Sequence, residues 1–112
     1  MTERHITIRK PYLRLIQDGT KTIEVRVGYP SMKKITAGQL LRFVSGDDSC
    51  LTRVVKVVEY PSFEAMVDAE DPAAIGGDMG SDALIAACRE IYPPEKEALG
   101  VLAIHLERVP DV

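Results

Sequence analysis

An α+β domain, a small and mostly antiparallel β-barrel with helices packed against it, is the fold this sequence predicts. Three observations lead there. Five segments carry the two-residue alternation or the Val-rich composition of strands. Strands and helices follow the order β-α-β-β-β-α-α-β, without the regular βαβ alternation of a parallel sheet. The 112 residues hold no repeat, low-complexity tract or dividing linker, so 1–112 reads as a single domain, long enough to bury its own core.

"RHITIRK" alternates with Ile6 and Ile8 inward and is the first strand. "KPYLRLIQDG" follows as a helix: Pro11 suits the first turn, Leu13 and Ile16 share a face, and Gly19 is a stop signal. The second strand covers about residues 21–28, with Ile23, Val25 and Val27 on one side and Glu24 and Arg26 on the other. "YPSMKKITAG" is a loop with Lys33 and Lys34 at its centre; "QLLRFVS" is the third strand and "GDDS" a turn. "CLTRVVKVVEY" is a long fourth strand.

Ser62 can cap a helix that presents Phe63, Met66 and Val67 on one side. "DPAAIGGDMG" reads as a loop rich in breakers. Ser81 then caps a helix with Leu84, Cys88 and Ile91 on its core face, and "PPEKEALG" is another loop. "VLAIHLERV" closes the fold as a fifth strand with Leu102, Ile104 and Leu106 on one side.

Composition narrows the class. With 46% hydrophobic and 28% charged residues the chain reads as globular, not disordered. Cys50 and Cys88 belong to no CxxC or Cys/His cluster, which argues against a zinc site or a disulfide framework. No metal or cofactor is expected. No apolar run reaches the length of a membrane span, and the N-terminal stretch lacks the apolar core of a signal peptide; the expected compartment is the cytoplasm, with both thiols reduced. The net charge of −3 conceals a division, because residues 1–42 hold nine Lys/Arg against three Asp/Glu while residues 43–112 hold five against fourteen. A basic half can attract anions locally despite the total, or both sets can be ordinary solvated faces.

Candidate chemistry centres on "GTKTIEVR". Glu24 and Arg26 are side-by-side neighbours on one sheet face, with Lys21 just before them. Two readings fit: a solvated ion pair, or the lining of a site in which arginine meets a phosphate or the polar edge of a base. Tyr29, Tyr60 and Tyr92 each precede a proline and Tyr12 follows one, so all four stand near element ends. Rings placed there can stack a base or simply close the core. His5 and His105 lack partners at metal-ligand spacing, and no GxSxG, Walker or HExxH pattern occurs.

"GTKTIEVR" resembles the G-x-K-x-x-E-x-R signature of the ASCH (activating-signal-cointegrator homology) domains, relatives of the PUA-like folds. The colinear "IYPPEKE" and "GVLAIHLE" extend the resemblance over nearly the whole chain, toward a prokaryotic branch of stand-alone domains. The resemblance implies a PUA-like β-barrel of five or six strands with a cleft beside the signature. It also implies binding of RNA or a nucleotide-like ligand. One branch of the superfamily comprises amidohydrolases acting on acetylated cytidine through a lysine, a threonine and a glutamate. Their lysine matches Lys21; their threonine falls at Glu24; their glutamate falls only approximately, near Gly77 and Asp78. Thr22, two residues before Glu24, alternates to the same face and offers a substitute hydroxyl.

Two functions follow. In a binding module, Lys10, Lys21, Arg26, Lys33 and Lys34 contact phosphate beside Glu24, and Tyr29 or Tyr92 stacks a base, with affinity that weakens steeply in salt. In a small hydrolase of modified nucleosides or RNA, Glu24 activates water and Lys21 stabilises the oxyanion, Thr22 and Asp78 being weaker candidates. An aromatic content of 5% disfavours an extended single-strand platform, whereas a one-nucleotide pocket needs only one or two rings. Oligomeric state is left open.

Overall fold

Alternation of apolar and polar residues places five strands and the chain's prolines place most helix starts; a computed structural model describes residues 2–110. The elements are β1 (Glu3–Thr7), α1 (Lys10–Gln17), β2 (Ile23–Val27), β3 (Leu40–Ser45) and β4 (Asp48–Tyr60). They continue with α2 (Phe63–Ala69), α3 (Pro72–Gly76), α4 (Ser81–Ile91), α5 (Pro94–Glu97) and β5 (Val101–Arg108). The strands form one sheet in the order β1-β3-β4-β5-β2. β1 runs parallel to β3, with Glu3 opposite Leu40, and every other pairing is antiparallel.

The sheet is a curled half-barrel, not the closed barrel expected from the sequence. Its two edges, β1 and β2, are joined by no ladder. Instead α1 connects them in sequence, and the Arg26 guanidinium reaches from β2 to the Thr7 carbonyl at 3.0 Å. One side chain thus bridges the open seam.

Both faces of the sheet are apolar. β5 sends Leu102, Ile104 and Leu106 into one core with Ile6, Leu13, Ile16, Leu41 and Phe43. From its other face Val101 and Ala103 join Ile23, Val27, Phe63, Met66 and Leu84 in a second core. A strand buried on both sides reads as a continuous apolar run, as "VLAI" does.

Several local expectations change. Two stretches expected as loops contain short helices: α3 is capped by Asp71, whose Oδ1 accepts from the Ala73 amide at 3.1 Å, and α5 starts after Pro93. Proline interrupts a helix interior but is well placed in a first turn, so here it starts elements instead of ending them. Gly80, not Ser81, is the N-cap of α4, and Ile91 is exposed while Leu84 and Cys88 are buried. The turn after β3 is tighter than four residues, since β4 already begins at Asp48. Ser62 does cap α2, its hydroxyl accepting from the Ala65 amide at 3.0 Å.

Candidate functional site

Gly19, at φ +87°, ends α1 in the left-handed region and turns the chain back. The Lys21 amide donates to the Leu15 carbonyl at 2.9 Å and the Thr22 amide to the Ala74 carbonyl at 2.9 Å. This turn drives Lys21 inward, where it is only 4% exposed. An ammonium so placed must use all its protons, and it does. Nζ donates to the Ile23 carbonyl at 2.7 Å and to the Ile75 carbonyl at 2.7 Å, and stands 3.3 Å from Glu24 Oε1.

Glu24 is also buried. Its second oxygen, Oε2, accepts from Arg26 Nε at 2.8 Å and lies 2.7 Å from Nη2. Burial alone pushes this carboxyl up; Lys21 and then Arg26 outweigh it and hold the group below the usual carboxylate range. The result is a charge row, plus, minus, plus, with one net positive charge. Its outer member, Arg26, stays partly exposed.

The row lines one wall of a half-open cavity of about 220 Å³ at the seam between the two sheet edges. Thr7 and Arg9 from the end of β1 share that polar side. The rest of the lining is largely apolar and includes Tyr12, Val25, Ile75, Cys88, Ile91 and Tyr92. The cavity occupies the gap where the two cores do not meet, since Tyr12 packs on the first and Tyr92 on the second. Burial pushes the Cys88 thiol up to about 11, so it stays protonated and unreactive at neutral pH. Burial likewise raises the Tyr92 phenol, with Arg26 opposing it.

Of the residues singled out from the sequence, Lys21, Glu24, Arg26 and Tyr92 converge on this cavity. The others lie elsewhere. Lys10 is on the exposed face of α1, 3.2 Å from Asp48, and Lys33 pairs with Glu59 at 3.6 Å. Tyr29 packs in the second core, 6.5 Å from the Tyr92 ring, with Lys96 over its own ring. Asp78 is exposed in the α3–α4 loop. Thr22 does not share the face of Glu24: it is exposed and lines a separate pocket with Arg108 and Leu106. The alternation argument does not reach it, because β2 begins only at Ile23. Arg9 is a cavity residue that sequence reasoning did not select, and Tyr12, noted there only as one of four rings near element ends, lines the cavity too. The available signal was that Tyr12 stands four residues before Ile16, on the buried stripe of α1.

Among the described residues no group of three or more His, Cys, Asp and Glu could hold a metal ion, and no helix is long and apolar enough to cross a membrane. The crystal structure of hypothetical protein PH0355 is similar to this fold, with a TM-score of 0.87 and 25% identity over 96% of this chain and 100% of that one. The solution structure of protein PF0455 from Pyrococcus furiosus gives a TM-score of 0.80 and 28% identity, covering 98% of this chain and 100% of that one. No curated protein matches. Residues 6–110 match the family model of the ASCH domain.

Proposed function

The chain belongs to the ASCH domain family, a PUA-like family often associated with RNA binding, and from that premise we propose that the seam cavity binds RNA or a nucleotide-like ligand. One observation carries the reading. A guanidinium held by Glu24 and Thr7 stands partly exposed in a half-open cavity whose remaining lining is largely aromatic and apolar. Arg26 spends Nε and Nη2 on protein acceptors, and its remaining donors serve an anionic group such as a phosphate. The single net charge of the row favours that anion, and Arg9 at the rim adds to it. A volume of about 220 Å³ suits one nucleoside-sized group between Tyr12, Ile91 and Tyr92. Such ligands are intracellular, which agrees with the cytoplasmic compartment expected from the sequence.

The geometry argues against the hydrolytic alternative. A lysine whose three protons end on two carbonyls and a carboxylate has none for an oxyanion. A carboxylate engaged at both oxygens and held below its ordinary pKa is a poor general base.

An amide NMR titration with nucleoside 5′-monophosphates and short single-stranded RNAs tests the reading, one-dimensional spectra following each ligand for conversion. Shifts are expected at Glu24, Arg26 and Tyr92 without conversion, and Arg26→Ala is expected to weaken binding by about tenfold or more. Absence of shifts at these residues with every ligand would overturn it. Conversion would restore the hydrolase.

A further inference from the structure

β2 is an edge strand, so one row of its peptide groups faces away from β5. Which residues own that row follows from the ladder. The Leu106 amide donates to the Thr22 carbonyl at 2.8 Å and the Gly28 amide to the Gly100 carbonyl at 2.9 Å. With Glu24 opposite Ile104 and Arg26 opposite Leu102, the even-numbered residues turn their amides and carbonyls toward β5. Residues 23, 25 and 27 turn theirs to the open edge.

Contacts at both ends agree with that parity. The Ile23 carbonyl accepts from Lys21 at 2.7 Å. The Val27 carbonyl accepts from the Tyr29 amide at 2.8 Å. Between these two engaged carbonyls stands Val25, which lines the cavity and whose amide and carbonyl have no protein partner among the described residues. Buried or half-buried peptide groups are rarely left unpaired.

Of residues 23, 25 and 27, Val25 alone lines the cavity. An added strand needs several consecutive edge residues, and Lys21 with Ile75 at one end and Tyr92 at the other block it. A single residue in extended conformation instead offers one N–H and one C=O side by side. Their complement is a planar group that carries an acceptor next to an N–H in its own plane.

Resting on the nucleotide reading above and deepening it, we infer that the Val25 main chain is the base-reading element of the cavity. It takes the Watson–Crick edge of a nucleobase by two hydrogen bonds, amide to a ring or exocyclic acceptor and ring or exocyclic N–H to carbonyl. Bases whose edge is blocked by methylation are rejected, because the Val25 groups then stay unpaired.

The test uses the full-length ¹⁵N-labelled protein with uridine 5′-monophosphate and its N3-methyl derivative, then adenosine 5′-monophosphate and its N6,N6-dimethyl derivative. The expected result is a downfield shift of the Val25 amide proton with each parent nucleotide and binding at least about tenfold weaker for each methylated one. If Arg26 and Tyr92 respond while Val25 does not, and the methylated nucleotides bind equally, base reading by Val25 falls and nucleotide binding stands. If no nucleotide moves Arg26 or Tyr92, the nucleotide reading falls and the inference with it. Val25→Pro removes the edge N–H without touching the β2–β5 ladder and is expected to reduce uridine monophosphate affinity to that of the methylated form. Should this variant not fold, the shift and methylation measurements on the unaltered protein decide alone.

Discussion

The ammonium protons of Lys21 end on the Ile23 and Ile75 carbonyls and on Glu24, so methionine at this position leaves two carbonyls and one oxygen of a buried carboxylate without a partner. Lys21→Met is expected to cost about 3–5 kcal/mol, read as a lowered urea midpoint. An unchanged midpoint would mean that the lysine is dispensable to the fold. Glu24 gives a pH dependence whose sign is fixed by its lowered folded pKa. Its contribution is complete above its ordinary 4.5 and is lost as pH falls through the folded value. The stability gap between the native protein and Glu24→Gln should therefore be wide at neutral pH and narrow as pH falls below the ordinary carboxylate range; a constant gap would contradict the assignment. The pairing of Glu24 with Arg26 was legible in the sequence, since a period of two makes them neighbours on one face. The burial of Lys21 was not. It depends on a carbonyl at Ile75, 54 positions along the chain, to which no local pattern points.

Elements were more legible than their ends. Each strand appears where alternation or valine content placed it, because burial of alternate side chains is a local pattern that the whole sheet then enforces. The short helices α3 and α5 escaped because glycine and proline were weighed as breakers alone. Two elements that hold the cavity can be tested. Ser62 caps α2, and Ser62→Ala should lower stability by about 1 kcal/mol. Gly28, where the chain leaves β2, has no room for a side chain: a Cβ there would stand 2.7 Å from the Leu99 carbonyl. Gly28→Ala is expected to destabilise by about 1–3 kcal/mol and to shift the β2 amides in an NMR spectrum, whereas Gly38→Ala, which meets nothing within 4 Å, should pay only for its φ of +90°. Equal spectra for Gly28→Ala and the native protein would refute the close packing of this corner.

Across the whole molecule the basic half does not form one free positive surface. Arg42 pairs with Glu3, Lys10 and Arg14 approach Asp48, and Lys33 approaches Glu59. Composition can count these charges but cannot see that tertiary structure sets acids beside them. With Arg26 and Arg9 as the main phosphate contacts, the logarithm of affinity for a short single-stranded RNA should fall with that of salt at a slope of about 1–2, by isothermal titration. A slope several times larger would bring the paired cations back into the interface. The placing of β2 has a last consequence, for the order in which a living cell can make the site. The signature strand is translated about seventy residues before β5, its one ladder partner among the described residues. Lys21, Glu24 and Arg26 must wait for that later segment before they can be held in place. A nascent polypeptide halted before Val101 has every residue of the charge row and no strand to anchor it. Assembly of the charge row then doubles as a report that β5 has been made and paired.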